Sequence, residues 1–167
     1  MRPRYLGLAV ALVSLAIDQA NKLWLIYVFD IASRQPVKLT PFFDVVFAVN
    51  PGISYSLFRA ETASGRATLL VLTLAATTLL AVWLWRSESL LTAVALGFVV
   101  GGALGNAYDR FAYGAVADFY HFHLGTFSWY IFNLADVAIV VGAGLLLYQS
   151  LFGMERSGAK RDASKLP

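Results

Sequence analysis

The stretch FNLADVAIVVGAGLLLYQ, residues 132–149, decides the fold of this chain. From Leu134 onward it is apolar over a length that can cross a bilayer, which takes about 20 residues at about 1.5 Å of rise each. It nevertheless opens with Asn133 and Asp136, one helical turn apart. A carboxylate at the mouth of an apolar helix needs water, a partner, a proton or a chemical task.

Outward from this segment, three more stretches have the same character. The four candidate spans are roughly Tyr5–Val28, Ala67–Trp85, Leu90–Tyr108 and Leu134–Phe152. Composition agrees: 59% of the 167 residues are hydrophobic and only 14% are charged, with a mean hydropathy of +0.66. Soluble domains carry about 25% charged residues. The expected fold is an all-α membrane protein of four transmembrane helices, with a small β element in the first outward loop. The basic head of the first span resembles a secretory signal, but no small-x-small cleavage site follows and the apolar run continues past Lys22. A retained helix is expected. Cysteine is absent, which excludes disulfides, thiolate nucleophiles and Cys-type zinc sites. Net charge is +3, with no basic face interleaved with aromatics, so nucleic-acid binding has no support.

Basic residues near span ends set orientation. Arg2, Arg4, Arg86, Arg156, Lys160, Arg161 and Lys165 fall on one side of a four-span chain. Arg34, Lys38, Arg59, Arg66 and Arg110 are spread over the longer loops of the other. This bias puts both termini in the cytoplasm and loops 29–66 and 109–133 outside. A four-helix transmembrane unit would then cover 1–153, followed by a basic, disordered cytoplasmic tail, 154–167. In the first outward loop PVKLTPFFDVVFAVNPG is rich in β-branched and aromatic residues, so a strand or hairpin is expected there. FYHFHLGTFSWYIF, in the second, reads as aromatic chain at headgroup level.

Charge inside a bilayer costs about 2.5–3.5 kcal/mol per residue on insertion scales. Asp18 and Lys22, at i and i+4, share a helix face and can pair, with Gln19 and Asn21 beside them. Gly97, Gly101 and Gly105 make a flat packing stripe in the third span. Asn106, Asp109 and Arg110 follow, and an Asp–Arg pair at a helix end fits a structural role. Asp118 differs, lying between apolar neighbours with no basic residue within seven positions. Asp118 and Asp136 can approach across the second outward loop. Two carboxylates at one site share a proton, so one can take a proton from water while the other polarises a carbonyl. Amide hydrolysis by that route needs no cofactor and no metal. Spacing alone leaves the chemistry open among several kinds of outward polar site.

Five blocks in order narrow the choice: DQANK (18–22), NPG (50–52), GGALGNAYDR (101–110), VADF (116–119) and FNLAD (132–136). With four spans at this length, the chain resembles the bacterial lipoprotein signal peptidases, the signal peptidase II family. The resemblance implies an intramembrane aspartic endopeptidase of the inner membrane. Its substrates would be prolipoproteins carrying diacylglycerol on a cysteine, cut just before that cysteine. It implies Asp118 and Asp136 as catalytic residues, with Asn106, Arg110 and Asn133 around them. Asn50, Gly52, Asp18 and Lys22 would give further polar or backbone support. It also implies membrane lipid and globomycin-type cyclic peptides as partners. One departure stands out. The family reads Asn-x-Gly followed by small residues, whereas this chain has NPGISYS, with Pro51, Ile53 and Tyr55 reshaping the cleft wall.

Three rival readings remain. His121 and His123 with Asp118 and Asp136 form a conceivable His₂Asp₂ metalloprotease site, although HExxH is absent and interfacial histidines commonly serve as anchors. Ser54 and Ser56 offer a serine nucleophile, but the histidines lie in the other loop. A small proton- or ion-coupled transporter would use Asp18, Lys22, Asp109 and Asp136 as a path.

Overall fold

The computed structural model describes residues 2–52 and 62–163, with 153–163 given by backbone alone. Ile53, Ser54, Tyr55, Ser56 and Arg59 lie outside the described residues, as do the last four positions and all side chains of the expected tail 154–167. Helix α1 (Pro3–Leu23) continues through a wider π turn, Trp24–Val28, and a short helix α2 (Ile31–Arg34) follows. The remaining helices are α3 (Ala63–Arg86), α4 (Leu90–Tyr113) and α5 (Leu134–Ala163). The four membrane-crossing lengths are Pro3–Val28, Ala63–Arg86, Leu90–Tyr113 and Leu134–Phe152. Lipid explains their outer surface: Leu12, Leu72, Leu79 and Val140 stand exposed, as apolar side chains do when the solvent is hydrocarbon.

Helix α4 is the central one, with most of its span buried against α1, α3 and α5. Its glycines allow this. A Cβ at Gly101 would stand 2.5 Å from the Ala11 carbonyl oxygen, and one at Gly97 would collide with the Gly7 carbonyl. Small residues let the helix backbones meet, so dispersion supplies what the hydrophobic effect cannot within lipid. Helix α4 stops at Gly114, which takes the left-handed φ of 77° that glycine tolerates, its N–H bonding the Arg110 carbonyl.

At the bundle end where α1 and α4 finish and α3 and α5 begin sits an antiparallel four-stranded sheet. Its order is β1 (Val37–Thr40), β2 (Phe43–Asn50), β3 (Val116–Leu124) and β4 (Phe127–Ser128). The β element expected in the first outward loop is therefore half of a sheet. The second loop, read as interfacial aromatic chain, supplies the other half. Between Val45 and Ala48 the register slips by one residue against Tyr120 and Asp118, a bulge in β2. Phe119, Val45, Ile31 and Leu25 form a core beneath the sheet and fasten it to the end of α1.

Candidate active site

Asp136 stands in the first turn of α5. Its Oδ2 accepts from the Asn133 backbone N–H at 3.2 Å, while Asn133 Oδ1 accepts from the Asp136 N–H at 3.0 Å. This is a reciprocal capping box, which satisfies two otherwise orphaned N–H groups. The pair that opens the apolar segment thus fixes where α5 begins. Capping leaves the Asn133 amide nitrogen and Asp136 Oδ1 for other partners.

The remaining atoms reach two other elements. Asn133 Nδ2 donates to Asp118 Oδ1 at 2.6 Å and to Asn106 Oδ1 at 3.1 Å. Asn106 Nδ2, from α4, donates to Asp136 Oδ1 at 2.9 Å. Asp118 Oδ2 accepts from Asn50 Nδ2 at 3.1 Å, a bond that joins β3 to the end of β2. Asn50 Oδ1 in turn accepts from the Gly52 N–H at 3.0 Å. Four elements therefore converge on two carboxylates, and the bulge in β2 helps bring Asn50 into line with Asp118.

A cavity of about 320 Å³ opens on both aspartates. Asn50, Asn106 and Arg110 give it polar walls, and Val116, Ile139 and Val140 give it apolar ones. Asp118 and Asn133 are buried, while Asp136 is half-buried. Burial raises the Asp118 carboxyl, and the charge of Asp136 raises it further, to about 6; the Asn50 and Asn133 amides and Lys22 oppose the rise. A carboxyl that keeps its proton this long, beside a second carboxylate, is equipped for acid–base work on a bound carbonyl.

One layer deeper lies an ion cluster. Lys22 Nζ is 2.8 Å from Asp18 Oδ2 and 2.8 Å from Asp109 Oδ2, and it donates to Asn106 Oδ1 at 3.4 Å. Asp18 Oδ1 accepts from the Ala135 N–H at 2.9 Å, so α1 holds the first turn of α5. Asp109 Oδ2 also accepts from the Ala117 N–H at 3.3 Å, next to Asp118. Arg110 turns the other way, donating to the Gly52 carbonyl at 3.0 Å and to the Asn106 carbonyl at 3.2 Å. The Asp109–Arg110 pair expected from the sequence is thus replaced by Asp109–Lys22, because consecutive helix positions diverge by about 100°.

All nine expected site residues belong to this one network. Asp118, Asp136, Asn106, Asn133 and Asn50 make it directly, Asp18 and Lys22 lie beneath, and Arg110 and Gly52 close the rim. Sequence reasoning missed the part played by Asp109, and also Gln19, whose Nε2 donates to Asp109 Oδ1 at 3.0 Å and Asp18 Oδ2 at 3.1 Å. A usable signal existed: two carboxylates within the spans face a single lysine there. The His₂Asp₂ reading fails on geometry. Among the described residues the group with metal-ligand spacing is Asp44, His121 and His123, which includes neither Asp118 nor Asp136.

The chain is similar over nearly its whole length to known proteins. The sequence pattern of the family described as "Signal peptidase (SPase) II" matches residues 10–152. The lipoprotein signal peptidase of Methylocella silvestris is 65% identical over 158 residues, 95% of this chain and 92% of that protein. The one from Beijerinckia indica subsp. indica is 61% identical over 158 residues, 95% of this chain and 94% of its own. A bacterial membrane enzyme solved by the in meso method at 2.3 Å resolution shares the fold, with a TM-score of 0.75 at 23% identity over 87% of both chains.

Proposed function

The chain belongs to the signal peptidase II family of lipoprotein signal peptidases, and on that premise we propose that Asp118 and Asp136 are its catalytic pair. It is a membrane enzyme of an aspartic peptidase family that removes signal peptides from prolipoproteins. The transporter alternative gains nothing from these relatives.

The observation that carries the pairing is a shared anchor. Asn133 bonds Asp118 through its side-chain amide and Asp136 through its backbone N–H, and both carboxylates line one cavity. A water between them loses a proton to ionised Asp136 and attacks the scissile carbonyl, while protonated Asp118 donates a hydrogen bond to the carbonyl oxygen. The tetrahedral intermediate breaks its C–N bond as the leaving amine takes the proton from Asp136. Asn106 and Asn133 orient Asp136, and Asn50 orients Asp118. Lys22 with Asp18 and Asp109 positions Asn106 and the start of α5, and Arg110 with Gly52 holds the chain at the cavity rim.

The family resemblance and the bias of basic residues support a finer assignment. The cut precedes a cysteine bearing diacylglycerol, whose acyl chains lie in membrane lipid beside the apolar wall of Val116, Ile139 and Val140. The sheet end of the bundle faces outward, with both termini cytoplasmic. A globomycin-type cyclic peptide occupies the cavity in place of substrate.

Cleavage of a diacylglyceryl-modified prolipoprotein in detergent tests the pairing. Asp118→Asn and Asp136→Asn, each still folded, are expected to lower kcat/KM by at least about 10³-fold, since residues that act as a unit fail together. Retention of activity within about tenfold by either variant refutes the dyad.

A further inference from the structure

Peptide hydrolysis leaves one cluster on the sheet unexplained. Asp44 of β2 lies directly opposite His121 of β3, and cross-strand partners point to the same face. His123, two residues along β3, points there too. One ring nitrogen of each histidine and a carboxylate oxygen of Asp44 lie within 4.8 Å of one another. His123 Nε2 and Asp44 Oδ2 are 3.1 Å apart, and the two imidazole centroids are 5.2 Å apart. Ser128 of β4 sets its Oγ 2.8 Å from His121 Nε2, which fixes that ring.

A second observation points to a ligand here. Asp44 is 9% exposed, and its Oδ1 is buried with no hydrogen-bond partner among the described residues. Buried carboxylate oxygens are seldom left alone, because the lost hydration goes unreplaced. A cation seated between this oxygen and the imidazoles restores it.

We propose that Asp44, His121 and His123 form a zinc-binding site that clips β2 to β3. Two imidazoles and one carboxylate suit Zn²⁺, whereas Mg²⁺ and Ca²⁺ take oxygen donors. Tetrahedral ligands at 2.0–2.1 Å from zinc are about 3.4 Å apart, so the histidine rings close on the metal by turning about a broad χ2 torsion. A water completes the shell. The clip is distinct from the dyad and performs no hydrolysis. It ties together β2 and β3 at the end of the ladder remote from Asn50, so it adds to the stability of the sheet and leaves the peptidase site as it is.

Zinc content and affinity of the tag-free, full-length protein in detergent test the site, after removal of metal with chelator and titration with Zn²⁺. One equivalent is expected to bind the wild type and raise its melting temperature. Co²⁺ in its place is expected to give the visible bands of a four-coordinate ion with nitrogen and oxygen donors. His123→Gln and the isosteric Asp44→Asn, which keeps the strand packing, are expected to weaken zinc binding at least about 100-fold, beyond the loss typical of an outer-shell change. Asp118→Asn is expected to bind zinc like the wild type, and chelated wild type to keep its peptidase activity. Absence of a stoichiometric site in the wild type overturns the proposal. So does undiminished binding by Asp44→Asn, or loss of binding in Asp118→Asn.

Discussion

Replacing Asp118 by Asn removes a charge that burial disfavours, so the variant should become the more stable protein at alkaline pH. In the folded chain the Asp118 carboxyl is raised from its ordinary 3.8 to about 6, first by burial and then by Asp136. The residue is 3% exposed, so little solvent screening reduces the effect. The folded state keeps its proton at pH values where the unfolded chain has released it. Stability therefore falls as pH rises from about 4 through about 6, reaching a deficit of about 3 kcal/mol once both states are ionised. Asn at this position carries no such dependence. It does bring a constant cost of about 1–3 kcal/mol, because its own amide must face a donor, Asn50 Nδ2 or Asn133 Nδ2. Comparison of two pH values cancels that cost. Between pH 4 and pH 8 the wild type should lose about 2 kcal/mol relative to Asp118→Asn. That is a relative change of about 4–8 °C in melting temperature for a chain of this size. Thermal melts of both proteins in one detergent across that range measure it. Melting temperatures that shift in parallel with pH, leaving the gap constant, refute the buried-charge reasoning.

The proposed role of the same carboxyl predicts a kinetic limit. In the free enzyme kcat/KM should decline as pH rises through about 6 and Asp118 loses its proton, and Asn50→Ala, which removes a donor to the ionised form, should move that limb to higher pH. A limb that stays put or moves down in Asn50→Ala contradicts the assignment. Lys22→Met leaves Asp18 and Asp109 buried without their cation and should cost about 3–5 kcal/mol of stability, read from denaturation in detergent; a loss under about 1 kcal/mol argues that the cluster is not ionic. Because the chain has no cysteine, Lys38→Cys and Arg86→Cys, both exposed at opposite ends of the bundle, report orientation cleanly. An impermeant maleimide applied from outside the inner membrane should label the first and not the second.

Much of the scaffold was legible because lipid simplifies the code. Apolar runs long enough to cross a bilayer have few other uses, and all four fell within a few residues of the helices observed. Span three was read to Tyr108 and ends at Tyr113, since Asp109 and Arg110 interrupt the apolar pattern but find partners that keep the helix going. Strand β3 was harder. Its aromatics alternate poorly, and what makes it a strand is pairing with β2 about 70 residues away, which no local pattern records. Of the site, Asp118 and Asp136 were visible as carboxylates lacking an obvious partner. Asn133 and Asp136 stand one turn apart at the mouth of the last span in the sequence, but only the folded chain shows that both halves of a capping box form.

By itself, then, the sequence determined that this chain lives in a bilayer, how many times it crosses, and which carboxylates stand at span ends, because transfer of residues between water and hydrocarbon is governed by local composition. Tertiary structure alone decided that Asp118 and Asp136 share Asn133, that Lys22 serves Asp109 as well as Asp18, and that Asp44 faces His121. Those facts depend on strand register and helix contact between distant segments, where a one-residue slip turns each side chain to the opposite face.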